Sequence, residues 1–105
     1  MKAKYVNCGK SVDIVPTEDV AAGDIVIRGN LIGIAHFDIP AGVLGSLSTE
    51  GIYNVEKSSG VTFEIGSFVY WNKDTETATA TETDTKIGIA VAAAASGDTS
   101  VTVKI

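Results

Sequence analysis

The chain is predicted to be all-β, and three observations carry that prediction. Val, Ile and Thr are abundant, apolar and polar residues alternate over several short runs, and no segment sustains a 3.6-residue apolar period. The composition agrees: of 105 residues 11 are glycine and only 7% are aromatic, which suits short strands joined by frequent turns. One phrase occurs twice, as Ile32-Gly33-Ile34-Ala35 and Ile87-Gly88-Ile89-Ala90, at an offset of 55 residues. A glycine follows each copy, Gly42 and Gly97. The repeat predicts a duplicated β-unit of strand, tight turn (Ala41-Gly42-Val43 or Ser96-Gly97-Asp98) and second strand.

The elements follow in order. Val12 and Ile14, stopped by Pro16, predict a first extended segment. Asp24 to Arg28 is a β-branched run opened by Ala22-Gly23 and closed by Gly29-Asn30, and Leu31 to Phe37 is the strand that pairs with it. Ile39-Pro40-Ala41-Gly42 turns the chain, Val43 to Leu47 runs back, and Gly51 to Val55 places Tyr53 and Val55 on one face. Val61, Phe63 and Ile65 alternate with Thr62 and Glu64. Phe68 to Trp71 predicts a strand that anchors the core, with Phe68 and Tyr70 on one face and Val69 and Trp71 on the other. Asp74 to Thr85 has threonine at every odd position and no large apolar residue, so it reads as a solvated hairpin or edge strand guarded by acidic residues. Four alanines, Ala92 to Ala95, permit a helical turn.

At this length one domain is expected, residues 17–105 forming a single β domain and residues 1–16 an extended N-terminal arm. The formal net charge is -5, and the eight Lys and Arg residues are scattered, so the surface lacks a patch for phosphate backbones or anionic lipid. Nucleic acid and membrane are not expected partners. The single cysteine, Cys8, forms no intramolecular disulfide, and no second thiol or histidine lies at a zinc-ligand spacing from it. The N-terminal residues lead into no apolar stretch of signal-peptide kind, and the longest apolar run, Ile87 to Ala95, falls well short of a bilayer span.

Chemistry is sparse. Gly9-Lys10-Ser11 matches the tail of a phosphate-binding loop, but the earlier glycine such a loop requires is replaced by Lys4 and an extended segment follows instead of a helix. His36 and Asp38 fall on one side of a strand, the spacing of an oriented general base, yet no serine or cysteine stands in a nucleophile context. Asp13, Glu18, Asp19 and Asp24 match no calcium loop. Gly23-Asp24 and Gly97-Asp98 read as turns in which glycine takes positive φ and the carboxylate caps nearby amides. No catalytic, metal or cofactor residue is expected, and the protein is read as a non-enzyme.

Seven signposts run nearly end to end: Tyr5-Val6-Asn7-Cys8-Gly9, Ala22-Gly23-Asp24-Ile25-Val26, Leu31 to Ala35, Ile39-Pro40-Ala41-Gly42, Thr49-Glu50-Gly51-Ile52-Tyr53, Val69-Tyr70-Trp71, and Ile87 to Asp98. In this order and spacing the chain resembles the capsid cement or head decoration proteins of tailed phages. Members of that family have also been labelled RecA-like recombinases, a label that the incomplete phosphate loop, the short chain and the acidic charge contradict.

The resemblance implies a small β-barrel or β-tulip-like domain that binds the outside of the expanded phage capsid and cements it. Its partner would be the major capsid protein, its arrangement on the virion a homotrimer, and its cofactors none. The terminal extended segment is the natural piece to add a strand to an edge of the capsid protein. Lys2, Lys4, Tyr5, Val6, Asn7, Val12 and Ile14 are its candidate contact residues. The alternative is a surface adhesin of the same fold that touches host glycans through Tyr53, Tyr70 or Trp71, which would then have to be exposed and clustered.

Overall fold

Short β-branched runs between glycine turns give short strands, and nine are present in the computed structural model, which describes residues 2–105. Met1, the first residue of the predicted arm, lies outside the described residues. The strands are β1 (Ser11–Ile14), β2 (Ile25–Arg28), β3 (Leu31–Ala35), β4 (Gly45–Ser48), β5 (Ile52–Glu56), β6 (Phe68–Asn72), β7 (Thr77–Thr79), β8 (Thr85–Ala90) and β9 (Ser100–Lys104). No helix occurs among the described residues, and every strand pairing is antiparallel. The all-β prediction holds.

The chain divides into two units, one ending at Glu50 and the other Gly51–Ile105. The first carries a four-stranded sheet in the order β1-β4-β3-β2, the second a five-stranded sheet in the order β5-β9-β8-β6-β7. Leaving β7 aside, the two orders are the same. The registers match as well: Val26 faces Gly33 as Val69 faces Gly88, Ala35 faces Leu47 as Ala90 faces Val103, and Val12 faces Leu47 as Tyr53 faces Val103. The bridge from Val20 to Ile39 recurs as Phe63 to Ala94. The turn in which Val43 N–H donates to Pro40 C=O (3.1 Å) recurs as Asp98 to Ala95 (3.0 Å). The repeated Ile-Gly-Ile-Ala phrase is therefore the centre of a duplicated β-unit.

Each unit has its own core, as period two demands. In the first, Val26, Ala35, Ile39 and Leu47 are buried together, with Val12, Ile14 and Val20 packed against them. In the second, Val55, Val69, Ala78, Ala90, Val101 and Val103 are buried. A side chain the size of Leu47 contributes about 1.5–3 kcal/mol by leaving water.

The second unit differs by one strand. β7 lies outside β6, with Tyr70 opposite Thr79 and Asn72 opposite Thr77. Its far side meets the chain beyond β5 through a parallel bridge from Lys57 to Ala78, so the first and last strands of this sheet touch. Lys57 sits at that seam, only 5% exposed, its ammonium donating to the carbonyls of Val61 (2.6 Å) and Ser58 (3.4 Å).

Three local expectations are corrected. Phe68 does not anchor the core: its face of β6 is open and it stays 52% exposed beneath the Lys86 ammonium at 4.3 Å, while Val69 on the other face is fully buried. The threonine-rich segment does pack on one side, because Ala78 is small enough to be fully buried between the strands. Ala92 to Ala95 form no helical turn; pairing with Phe63 holds Ala94 in a bridge.

Candidate functional site

Residues 2–9 belong to no strand and are exposed, which leaves the backbone groups before Gly9 to solvent or to a partner. Tyr5 and Val6 are 80% and 84% exposed. The base of this segment is fixed by local chemistry. Asn7 Oδ1 accepts the Gly9 N–H at 2.7 Å, a turn that Asn favours, and Gly9 has φ 72, which a side chain would resist. Thr49 then holds the segment to the end of β4, its hydroxyl donating to Gly9 C=O and its N–H to Lys10 C=O.

The sequence-predicted contact residues thus fall into two groups. Lys2, Lys4, Tyr5, Val6 and Asn7 lie on the exposed segment. Val12 and Ile14 lie on β1, opposite Leu47 and Gly45, with side chains turned toward the first core. Cys8 is exposed beside Gly9.

Groups that hinted at chemistry are engaged in turns. Asp38 Oδ1 accepts the Ala22 N–H at 2.8 Å, Asp19 Oδ1 the Ala41 N–H at 2.9 Å, and Asp24 Oδ2 the Ala21 N–H at 2.9 Å. Asp98 Oδ2 caps Ala95 in the same way at 2.8 Å. The turn reading of Gly23-Asp24 holds in full, with Gly23 at φ 91; at Gly97-Asp98 the cap is present but the glycine does not take positive φ. Among the described residues no group of three or more His, Cys, Asp or Glu side chains is placed to hold a metal ion. Gly9-Lys10-Ser11 runs into β1, not into a helix. Among the described residues no helix is long and apolar enough to cross a membrane.

The three aromatics of the adhesin alternative do not gather. Tyr70 and Trp71 are adjacent on β6 and point to opposite faces, while Tyr53 pairs with the fully buried Val103; all three are half-buried.

A second surface feature was not legible in the sequence. Beside the outer edge of β2 runs a hollow lined by residues 17–20 and 24–28, with Glu18, Asp19, Asp24 and Arg28 among them. The carboxylates were visible as a cluster close in sequence, but the edge they flank depends on strand order.

A family model described as phage cement protein matches residues 6–105. The chain belongs to the phage cement protein family. No curated protein and no solved structure matches it. As a cement protein it has a structural role in association with the phage capsid. The match begins at Val6, so Lys2, Ala3, Lys4 and Tyr5 lie beyond the part shared with the family model.

Proposed function

We propose that this cement protein binds the outer surface of the expanded phage capsid, is arranged there as a homotrimer on the major capsid protein, and stabilises the shell without catalysis or cofactor. The match to the cement family over residues 6–105 carries the reading. The physical mechanism is linkage. A ligand that binds the expanded shell and not its precursor stabilises the expanded state by mass action, and repetition over many sites multiplies the effect.

The exposed N-terminal segment supports a contact with another chain. Its centre, Tyr5, Val6 and Asn7, extends from a base fixed at Gly9 and Lys10, and has free backbone groups for strand addition. Val12 and Ile14, held in β1, set the position of that base.

The test mixes purified protein with expanded heads that lack it and with unexpanded procapsids, and follows co-sedimentation and the temperature of head disruption. Saturable binding to expanded heads alone, with a higher disruption temperature, is expected. Equal binding to procapsids, or none to either, refutes the reading. A chain lacking residues 2–8 is expected to bind more weakly; unchanged affinity would remove the segment from the contact.

A further inference from the structure

The duplication makes the second unit a template for the first. In the second unit β7 fills a slot between β6 on one side and Lys57 and Ser58 on the other. Tyr70 and Asn72 pair with it, Lys57 bridges Ala78, and Ser58 Oγ donates to Thr77 Oγ1 at 3.4 Å. The first unit has sequence counterparts of both sides of that slot. β2 stands where β6 does, and Pro16 and Thr17 follow β1 as Lys57 and Ser58 follow β5. Among the described residues no strand pairs with the outer edge of β2, and the hollow beside it is lined by Thr17 but not by Pro16, which is already buried.

The hollow presents the chemistry that a strand needs. Arg28 faces Leu31 across a two-residue hairpin, so alternation turns the N–H and C=O of Ile25 and Ile27 away from β3. The Arg28 guanidinium confirms the direction by donating to Ile27 C=O at 3.2 Å. Glu18, Asp19 and Asp24 line the hollow, and the latter two use one carboxylate oxygen each on a backbone cap.

The strand that fills the slot in the second unit is Thr77-Ala78-Thr79, a small buried residue between two polar ones. The exposed N-terminal segment repeats the pattern as Lys2-Ala3-Lys4, with two cations where the hollow carries three carboxylates. The geometry points to a second copy of the chain as the occupant: Lys2-Ala3-Lys4 of one copy adds to β2 of the next as β7 adds to β6. Ala3 takes the place of Ala78, which sets Lys4 opposite Ile27, and the Lys4 N–H replaces the Arg28 guanidinium at the Ile27 carbonyl. Arm into groove is a head-to-tail contact, and such contacts form rings when the rotation closes. The inference rests on the proposed homotrimer only for closure after three copies. Tyr5, Val6 and Asn7 then span between copies, open to the shell.

Two half-competent chains test it without capsids. A chain lacking residues 2–5 keeps only the groove; Ile27→Pro keeps only the arm, since the Ile27 N–H is not used in pairing with β3 and proline is tolerated at such an edge. By light scattering on a sizing column, the intact protein is expected to associate in a concentration-dependent way. Each variant alone is expected to be monomeric, and their mixture to form a one-to-one pair. Ala3→Trp, in a segment outside every strand, should leave the fold intact and weaken association at least about tenfold. An intact protein that stays monomeric, variants that associate like the parent, or a mixture that fails to pair overturns the inference. None of these outcomes depends on head binding, so each reading fails or stands separately.

Discussion

Gly33 and Leu47 meet so closely across β3 and β4 that a Cβ on the glycine would stand 2.6 Å from the Leu47 Cβ. The duplicate position is tighter: a Cβ on Gly88 would run into the Lys104 carbonyl oxygen and lie 2.8 Å from Val103 Cγ1. Neither glycine has a positive φ, so close approach alone requires it. Gly33→Ala is expected to lower stability by about 1–3 kcal/mol, the usual cost of overpacking. Gly88→Ala should cost more, because backbone gives way less readily than a leucine side chain. Equilibrium urea unfolding, read at unchanged m-value, checks both; an equal or smaller loss at Gly88 would contradict the ranking.

Asp24 and Asp98 hold equivalent-looking turns by the same pair of bonds. Each carboxylate accepts an N–H three residues back while its own N–H donates to that residue's carbonyl. Asp24→Ala and Asp98→Ala should each cost about 0.5–1.5 kcal/mol, the net worth of one such hydrogen bond. Asn keeps the acceptor oxygen and should recover most of the loss. If Asn and Ala are equally destabilising, charge and not capping is what the turns need.

Lys57 serves the second unit through its proton donors. Lys57→Met keeps the stem but takes the ammonium donor from the Val61 carbonyl and leaves the Ser58 carbonyl only the long bond from the Val61 N–H, at an expected cost of about 1–3 kcal/mol. Since its backbone bridges Ala78, loosening the seam should also speed hydrogen exchange in β7 relative to β8. Unchanged exchange in β7 would show that the β6 pairing alone holds that strand.

What the sequence made legible follows from what period and repetition encode. A β-branched run between turn glycines located β2 and its partner β3, alternation located β5, the aromatic run located β6, and the repeated Ile-Gly-Ile-Ala announced the duplication, because all of these are local patterns in the sequence. Phe68 was misjudged since period two separates two faces without saying which is covered; Val69 took the core. The burial of Ala78 was hidden for a related reason: a small residue in a polar run packs only if strand order provides a slot. The arm was read over residues 1–16 because that segment is terminal and extended, whereas Ser11–Ile14 within it form β1 and residues 2–9 belong to no strand; the cement family was readable from ordered short motifs. The hollow beside β2 was not, because it depends on which strand ends at the sheet edge and on the missing counterpart of β7.

Glu76 is the one non-glycine among the described residues with positive φ, at 54°. The turn between β6 and β7 forces it there. Asn72 ends β6 and gathers the loop, its Oδ1 accepting the N–H groups of Asp74 (2.9 Å) and Thr75 (3.1 Å), and its carbonyl accepting the N–H of Glu76 (2.8 Å). A side chain with a Cβ costs roughly 1–2 kcal/mol in the left-handed region, whereas glycine is at ease there but loses about 0.5–1 kcal/mol more entropy on folding. Glu76→Gly should therefore stabilise by up to about 1 kcal/mol, and Glu76→Asn by a comparable amount, since Asn tolerates this region and keeps the stiffer chain. Thr75→Gly, at a position without positive φ, should destabilise. Thermal unfolding of the three variants decides the matter: a rise for the first two and a fall for the third is expected, and a fall for Glu76→Gly would mean that the Glu76 side chain contributes more than its backbone costs.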